Sequence, residues 1–172
     1  KVVWANDNQH FFYIRKDKNL RAFQVFRHEL GTDSSQDVLI FHEKDEAFDV
    51  NVYKTKSLKY IFIGSSSTVS DEHRFIPADQ VFADWKIVQQ RKENLEYSIE
   101  HYQNDFYIIT NAQDAFNFKL VKTSVDHCEM KFWKEIVPHR QEILLEGFEI
   151  FAQHLVLEER KEGLLQINVI NQ

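Results

Sequence analysis

The chain has 172 residues, of which 43% are hydrophobic and 28% charged, the composition of a folded globular protein rather than a disordered one. Its 15 Phe and 6 Tyr, with only 4 Gly and 2 Pro, favour strands over helices. A formal net charge of −6 argues against a general nucleic-acid binder, and the lack of any run of about 18 apolar residues argues against a membrane-spanning helix.

Strongly apolar runs recur along the sequence at nearly constant spacing. They are FFYI at residue 11, YIFI at 60, FYII at 106 and LVL at 155, so their starts lie 49, 46 and 49 residues apart. An alternating segment precedes each run, and a third strand-like segment follows it after a polar break. In the first three units a fourth segment closes the set: DVLIFHEK at 37, DWKIVQQR at 84 and FWKEIVPH at 132.

A repeat of this length with four short strands is typical of one blade of a β-propeller. The sequence therefore predicts an all-β fold, a partial β-propeller of about three and a half to four blades, each with four antiparallel strands. The predicted repeat units, all part of one propeller domain, are residues 1–46, 47–95, 96–144 and 145–172. The residues expected at equivalent second-strand positions are Phe12, Ile61, Tyr107 and Val156.

The apolar pattern differs between strands in the way that stacked sheets require. The second strand of each unit is continuously apolar, which is expected where a strand is covered on both faces. The first strand alternates, as in Phe48, Val50 and Val52 against their polar neighbours, which predicts partial exposure. A ten-stranded barrel of the lipocalin kind has similar length and aromatic content and stays open as an alternative, although such barrels do not repeat every four strands.

The search for a catalytic nucleophile finds only weak candidates. The run from Gly64 to Ser67 lacks the second glycine of a nucleophile elbow and is expected at a hairpin. Cys128 lies between His127 and Glu129, but neighbours on an extended chain point to opposite faces. A loop cysteine is therefore the preferred interpretation of Cys128.

Metal and cofactor sites have no clear sequence signal either. The eight histidines show no HExxH motif and no close ligand spacing, and most are expected at strand surfaces or hairpins. One cysteine forms no internal disulfide and no cysteine cage, and no glycine-rich phosphate cradle occurs. The run from Glu158 to Gly163 is expected to be a charged hairpin, with partner binding as the alternative. The sequence thus predicts no catalytic, cofactor-binding or metal-binding residue and no cofactor.

Several long segments resemble a known family. They are WANDNQHFFYIRKD at residue 4, HEKDEAFDVNVYKTKSLKYIFI at 42, EYSIEHYQNDFYIITNAQDAFNFKLVKT at 96 and LEGFEIFAQHLVLEERKEGL at 145. Together they resemble the propeller of the oligopeptidase B group within the prolyl oligopeptidase family of serine peptidases. The resemblance runs over whole blades, in order, through essentially the entire chain.

The resemblance implies that the chain is a fragment of a longer enzyme. The family joins a seven-bladed propeller to an α/β-hydrolase domain with a Ser, Asp and His triad, and it cleaves short peptides after Lys or Arg. None of the catalytic motifs falls within residues 1–172, so no catalytic residue is carried over and this portion alone is expected to be inactive. Its implied role is a lid that admits short peptides and excludes folded proteins. The implied partners are short basic peptides and the hydrolase domain. The net charge and the lack of a long apolar run argue separately against nucleic acid and membrane as partners.

Two other functions stay open, a stand-alone propeller that binds proteins and a lipocalin-like carrier. The single cysteine favours a reducing compartment, which predicts a cytoplasmic protein, with the periplasm as the alternative. An arc of blades has two uncovered end faces and an unpaired edge, so the isolated chain is expected to self-associate. The residues expected on the uncovered faces are Phe11, Phe12, Phe148, Phe151 and Leu155.

Overall fold

The computed structural model describes residues 1–171 and places fifteen strands of this range in four antiparallel sheets. The short 3-10 helices of this range are Ser34–Gln36, Val125–His127 and Met130–Phe132. Within the described residues no helix has the length and apolar character that crossing a membrane requires. The chain divides into two compact units, Lys1–Asn94 and a second from Leu95 onward, with two sheets in each.

Sheets 1 and 2 form the first unit, and in both of them the strands hydrogen-bond in sequence order. Sheet 1 consists of β1 (Val2–Trp4), β2 (His10–Lys16), β3 (Ala22–Glu29) and β4 (Val38–His42). Sheet 2 consists of β5 (Asp49–Lys54), β6 (Tyr60–Ser66), β7 (Asp71–Pro77) and β8 (Lys86–Ile87).

Sheets 3 and 4 form the second unit, again with consecutive strands paired. Sheet 3 consists of β9 (Tyr97–Tyr102), β10 (Asp105–Thr110), β11 (Lys119–Ser124) and β12 (Lys134–Val137). Sheet 4 has three strands, β13 (Ile143–Ile150), β14 (His154–Lys161) and β15 (Leu164–Asn171). The prediction of four antiparallel sheets is confirmed, and the single-barrel alternative is wrong because the strands pair within four separate sheets.

The core of the first unit lies between sheets 1 and 2. Fully buried Phe12 and Val25 of sheet 1 share one cluster with Val52, Ile61 and Ile63 of sheet 2. Burying such a side chain stabilises the fold by about 1.5–3 kcal/mol relative to leaving it in water. The second unit repeats the arrangement with a cluster that joins sheet 3 to sheet 4, including Leu120 and Leu157. Face-to-face stacking of sheets is therefore the source of the apolar repeat.

The second strands behave as their composition predicts. Phe12, Ile61, Tyr107 and Val156 all lie on the second strand of their sheets, which confirms their equivalence. In β6 the five residues from Ile61 to Ser65 are all buried, so both faces of this strand are shielded from water. In β5 buried Val50 and Val52 alternate with exposed Asp49 and Asn51, as their alternation predicts.

The predicted uncovered faces are only partly correct. Phe12 and Leu155 are buried because their side chains point into the clusters between sheets, so their predicted exposure is wrong. Phe151 is 52% exposed, as expected. The larger apolar exposure lies along β15, where Leu165, Ile167 and Val169 occupy alternate positions and each is more than half exposed.

In each four-stranded sheet the hairpin between the second and third strands holds the segment that follows the fourth strand. In sheet 1, Arg21 Nη1 donates to the carbonyl oxygens of Asp45 at 3.1 Å and Phe48 at 2.9 Å. In sheet 2, Ser70 Oγ accepts a hydrogen bond from the Asn94 amide at 3.1 Å. Both contacts satisfy backbone groups that strand pairing leaves open, and they fix where the chain leaves the sheet.

Sheet 3 uses a different residue type for the same purpose. Asn117 Nδ2 donates to the carbonyl oxygens of Arg140 at 3.2 Å and Gln141 at 2.7 Å. Arg140 in turn donates to Glu159 Oε1 on β14 at 2.5 Å. The segment between sheets 3 and 4 is therefore attached to both of them.

The charged run near the end of the chain forms the predicted hairpin. β14 ends at Lys161, Glu162 and Gly163 make the turn, and β15 begins at Leu164. Both turn residues have positive φ, 50° at Glu162 and 81° at Gly163, which suits a tight two-residue connection.

Candidate functional site

The serine run does not lie where the sequence predicts. Ser65 and Ser66 belong to β6, where they pair with Glu72 and Asp71 of β7, and the hairpin begins only at Ser67. The strand continues because the Ser65 hydroxyl finds partners inside the first unit and is fully buried. A hydroxyl that solvent does not reach is positioned for a structural role and not for attack on a substrate.

Ser65 belongs to a largely buried ionic cluster, which we call the brace: Glu43, Ser65 and Arg91. Ser65 Oγ donates to Glu43 Oε2. Arg91 Nη2 donates to the same oxygen at 2.5 Å and to Ser65 Oγ at 3.0 Å. The other carboxylate oxygen, Glu43 Oε1, accepts the Asp45 amide at 3.0 Å. The brace joins the segment after β4, the middle of sheet 2 and the segment after β8.

The charge state of Glu43 follows from these contacts. Burial by itself raises the pKa of the Glu43 carboxyl, because it disfavours the charged form. Hydrogen bonds from Ser65 and Arg91, with the positive charge of Arg91, outweigh burial and hold the pKa of Glu43 below its ordinary value. The carboxylate is therefore ionised at neutral pH and paired with the guanidinium.

Two aromatic rings extend the brace across the first unit. The Arg91 guanidinium lies 3.5 Å from the centroid of the Phe48 ring, and the Arg74 guanidinium lies 3.9 Å from that of Phe41. Glu72 links the two arginines, since it accepts the Arg91 amide at 2.9 Å and pairs with Arg74. Cation–π contacts of this kind each contribute about 0.5–2 kcal/mol, so these two help to hold sheets 1 and 2 together.

A second polar network, centred on Asp37, lies on sheet 1. Tyr13 donates its hydroxyl to Asp37 Oδ2 at 2.5 Å, and His28 Nδ1 lies 2.6 Å from Asp37 Oδ1. The Asp37 side chain is only 3% exposed. Burial raises the pKa of Asp37, but hydrogen bonds from Tyr13 and His28 outweigh it, and the pKa is lowered overall. Burial and the bond to Asp37 raise the pKa of the Tyr13 hydroxyl. Sequence reasoning missed this network because its three members come from different elements.

Five of the eight histidines are at least partly exposed, in keeping with the expectation for most of them. His10, His73 and His101 are the exceptions, since they are buried. His73 fits inside because Gly64 lies directly opposite on β6, and a Cβ at that glycine would lie 3.0 Å from the His73 ring. His10 is held by Asp7, with 2.6 Å between Nδ1 and Oδ2. In the described residues no group of three or more His, Cys, Asp or Glu side chains is placed to hold a metal ion.

Cys128 lies in the loop between the second and third 3-10 helices, in agreement with its prediction as a loop cysteine. It is buried and, as the single cysteine of the sequence, forms no intrachain disulfide. Its carbonyl oxygen accepts the indole Nε1 hydrogen bond of Trp133 at 2.8 Å. The same loop forms one wall of a pocket on sheet 3.

This basic pocket has a volume of about 490 Å³ and combines positive charge with aromatic surface. Its charged lining consists of Lys122, Lys131, Lys134, His127 and Asp105, and its aromatic lining of Phe132 and Trp133. Three lysines against one aspartate leave a formal charge of +2 with the histidine neutral. The pocket therefore has the opposite sign from the chain, whose net charge is −6.

One family model and two relatives are similar to this chain in sequence. A family model described as the prolyl oligopeptidase N-terminal β-propeller domain matches residues 1–172. Dipeptidyl aminopeptidase BI of Pseudoxanthomonas mexicana is 37% identical over 98% of this chain and 23% of its own length. Protease 2 of Moraxella lacunata is 33% identical over 99% of this chain and 24% of its own length.

Two solved structures have the same fold as this chain over nearly its whole length. Oligopeptidase B from Leishmania major superposes with a TM-score of 0.92 at 26% identity, covering 99% of this chain and 24% of that one. Oligopeptidase B from Trypanosoma brucei, in a closed form with covalently bound antipain, gives a TM-score of 0.91 at 26% identity over 99% of this chain and 24% of that one. The chain thus spans about a quarter of the length of these relatives.

Proposed function

Since the chain belongs to the prolyl oligopeptidase family, as part of its N-terminal β-propeller domain, we propose that it is a non-catalytic portion of a serine peptidase and restricts the access of substrates to a hydrolase domain elsewhere in the full-length protein. The observation that carries this proposal is the match of the propeller model over residues 1–172. The relatives are about four times longer, which leaves ample chain for a separate catalytic domain.

The internal contacts of the first unit suit an access-restricting role. A lid that rejects large substrates must resist deformation, because a soft edge would yield to an entering chain. The brace fixes sheet 2 to the segment after β4 through the Arg91–Glu43 pair. Arg21 and Ser70 hold the segments that leave sheets 1 and 2. These contacts supply the stiffness that the proposed role needs.

The proposed substrates are short peptides cleaved after Lys or Arg. The net charge of −6 supports this class, because a negative surface attracts cationic peptides over long range. The closed form of the Trypanosoma brucei relative supports a mechanism in which entry depends on separation of domains. Residues 1–172 would then select substrates by size and charge, and the hydrolase domain would cleave the peptide bond.

A serine-directed label tests whether the catalytic serine lies outside residues 1–172. We would treat the full-length protein with a fluorophosphonate reagent and locate the modified serine by peptide mass spectrometry. We expect the label outside residues 1–172, together with loss of cleavage of an arginyl-amide substrate. Stoichiometric label on Ser65, Ser66 or Ser67 would overturn the proposal, since it would place the nucleophile in the propeller.

A further inference from the structure

Two lysines face each other across neighbouring strands of sheet 3. Lys122 on β11 and Lys134 on β12 are direct Cα partners in the antiparallel register, and both line the basic pocket. Side chains in such a pair have Cβ atoms about 5 Å apart, and like charges directly opposite are destabilising. The sheet therefore tolerates an electrostatic cost at this wall that an anion in the pocket would relieve.

The charges around this lysine pair are only partly balanced. Lys122 Nζ lies 3.6 Å from Asp105 Oδ2 on the neighbouring strand. Among residues 1–171, Lys134 has no carboxylate within ion-pair distance. A third ammonium, on Lys131, lies 2.5 Å from Glu129 and is itself 67% exposed. Lys134 is thus available to pair with a ligand carboxylate, whereas Lys122 and Lys131 already lie near carboxylates of the protein.

The other wall of the pocket is aromatic and fixed in place. The Trp133 indole is held by its hydrogen bond to Cys128 O at 2.8 Å and packs on Tyr97 with ring centroids 5.7 Å apart. Phe132 is 42% exposed, lies against His127 at 5.1 Å between centroids, and has the Lys131 ammonium 4.9 Å from its ring centroid. An aromatic surface that is ordered yet exposed favours an apolar side chain as its partner.

We propose that the basic pocket binds an acidic peptide segment, with a carboxylate between Lys122 and Lys134 and an adjacent apolar side chain against Phe132. A volume of about 490 Å³ exceeds what a single inorganic anion needs and lies within the range of pockets for larger ligands. A phosphate ion alone would leave the aromatic wall unused. This ligand has the opposite charge from the cationic peptides proposed as substrates.

The test measures binding of a fluorescein-labelled Asp-Phe-Glu peptide to the full-length protein by fluorescence anisotropy. A serine-directed inhibitor blocks the peptidase centre beforehand. We expect the double variant K122Q/K134Q to weaken binding about fivefold to tenfold, the effect of losing two partly exposed ion pairs. The matched control K16Q/K18Q removes the same charge from the end of β2 and the hairpin after it, and should bind as the wild type does.

Two further arms identify the ligand chemistry. With both peptides amidated at the C-terminus, the neutral Asn-Phe-Gln should bind much more weakly than Asp-Phe-Glu, and inorganic phosphate should compete only at far higher concentration. The K122Q/K134Q variant should keep its melting temperature, because removal of the like-charge pair offsets the loss of the exposed Lys122–Asp105 pair, so weaker binding would not reflect unfolding. Equal binding by the variant and the wild type, equal binding of the neutral peptide, or stronger binding of phosphate than of the acidic peptide would each overturn the proposal.

Discussion

Arg91 and Glu43 lie 48 positions apart in the sequence, and Arg91 Nη2 donates to Glu43 Oε2 at 2.5 Å. The Glu43 side chain is 6% exposed and that of Arg91 28%. Because the pair is largely removed from water, the loss of one partner leaves a poorly solvated charge on the other. The stability of the first unit therefore depends on a contact that no local sequence pattern encodes.

The substitution Glu43→Gln tests this dependence. We expect it to lower the free energy of unfolding by about 2 kcal/mol, less than for a fully buried pair because Arg91 keeps some solvent contact. Glu93→Gln is the matched control, since Glu93 is exposed and makes no ion pair among the described residues. Urea denaturation followed by tryptophan fluorescence measures both variants. Equal stability of the two would show that the brace contributes nothing.

The lowered pKa of Asp37 predicts a pH dependence. A carboxyl whose pKa is lower in the folded state stabilises the fold above its unfolded pKa, about 3.9, and this contribution is lost as the pH falls through the folded value. The melting temperature of the wild type should therefore decrease when the pH is lowered below about 4. The variant Asp37→Asn should be less stable at neutral pH and should show a shallower decline. Parallel pH profiles of the two proteins would contradict the assigned role of Asp37.

The neighbouring serines of β6 should respond differently to alanine. Ser65 is buried with two hydrogen-bond partners, so Ser65→Ala should cost about 1–2 kcal/mol by leaving Glu43 and Arg91 less satisfied. Ser66 is exposed, so Ser66→Ala should cost less than about 0.5 kcal/mol. Thermal denaturation separates these outcomes. Hydrolysis of a short arginyl peptide by the full-length protein should be retained in both variants, and its abolition by S65A in a folded protein would indicate a catalytic serine.

The exposed apolar face of β15 predicts self-association of the isolated chain. Ile167 is 60% exposed between Leu165 and Val169 on the same face. Ile167→Lys should reduce association at micromolar concentration, because it places a charge in the centre of the apolar face. Gln166→Lys adds the same charge on the other face of the strand and serves as the control. Light scattering that shows a 20.6 kDa monomer for the unmodified chain would contradict the prediction.

The sequence predicts the sheets well because their signal is local. The continuous apolar run at Ile61 to Ile63 and the alternation around Val50 depend only on which faces of a strand are covered. The short fourth strand of sheet 2 is less predictable, since only Lys86 and Ile87 of the segment from 84 to 91 pair with β7. Pairing at an outer strand depends on tertiary geometry that composition does not report.

The polar sites are less predictable because distant segments build them. Glu43 and Arg91 meet only once sheets 1 and 2 are stacked, and the Lys122–Lys134 pair exists only in the actual register of β11 and β12. One local signal was available for buried His73. Gly64 interrupts an apolar strand, which often marks a site where another group approaches closely.

The most direct test of an access-restricting propeller compares substrate lengths in the full-length protein. A short peptide with one arginine and a long unfolded polypeptide with the same cleavage sequence would be assayed side by side, in the wild type and in E43Q. We predict that the wild type strongly prefers the short peptide and that loosening the brace reduces this preference, while the rate of fluorophosphonate labelling stays the same. Equal cleavage of both substrates by the wild type would contradict a role of this chain in controlling access.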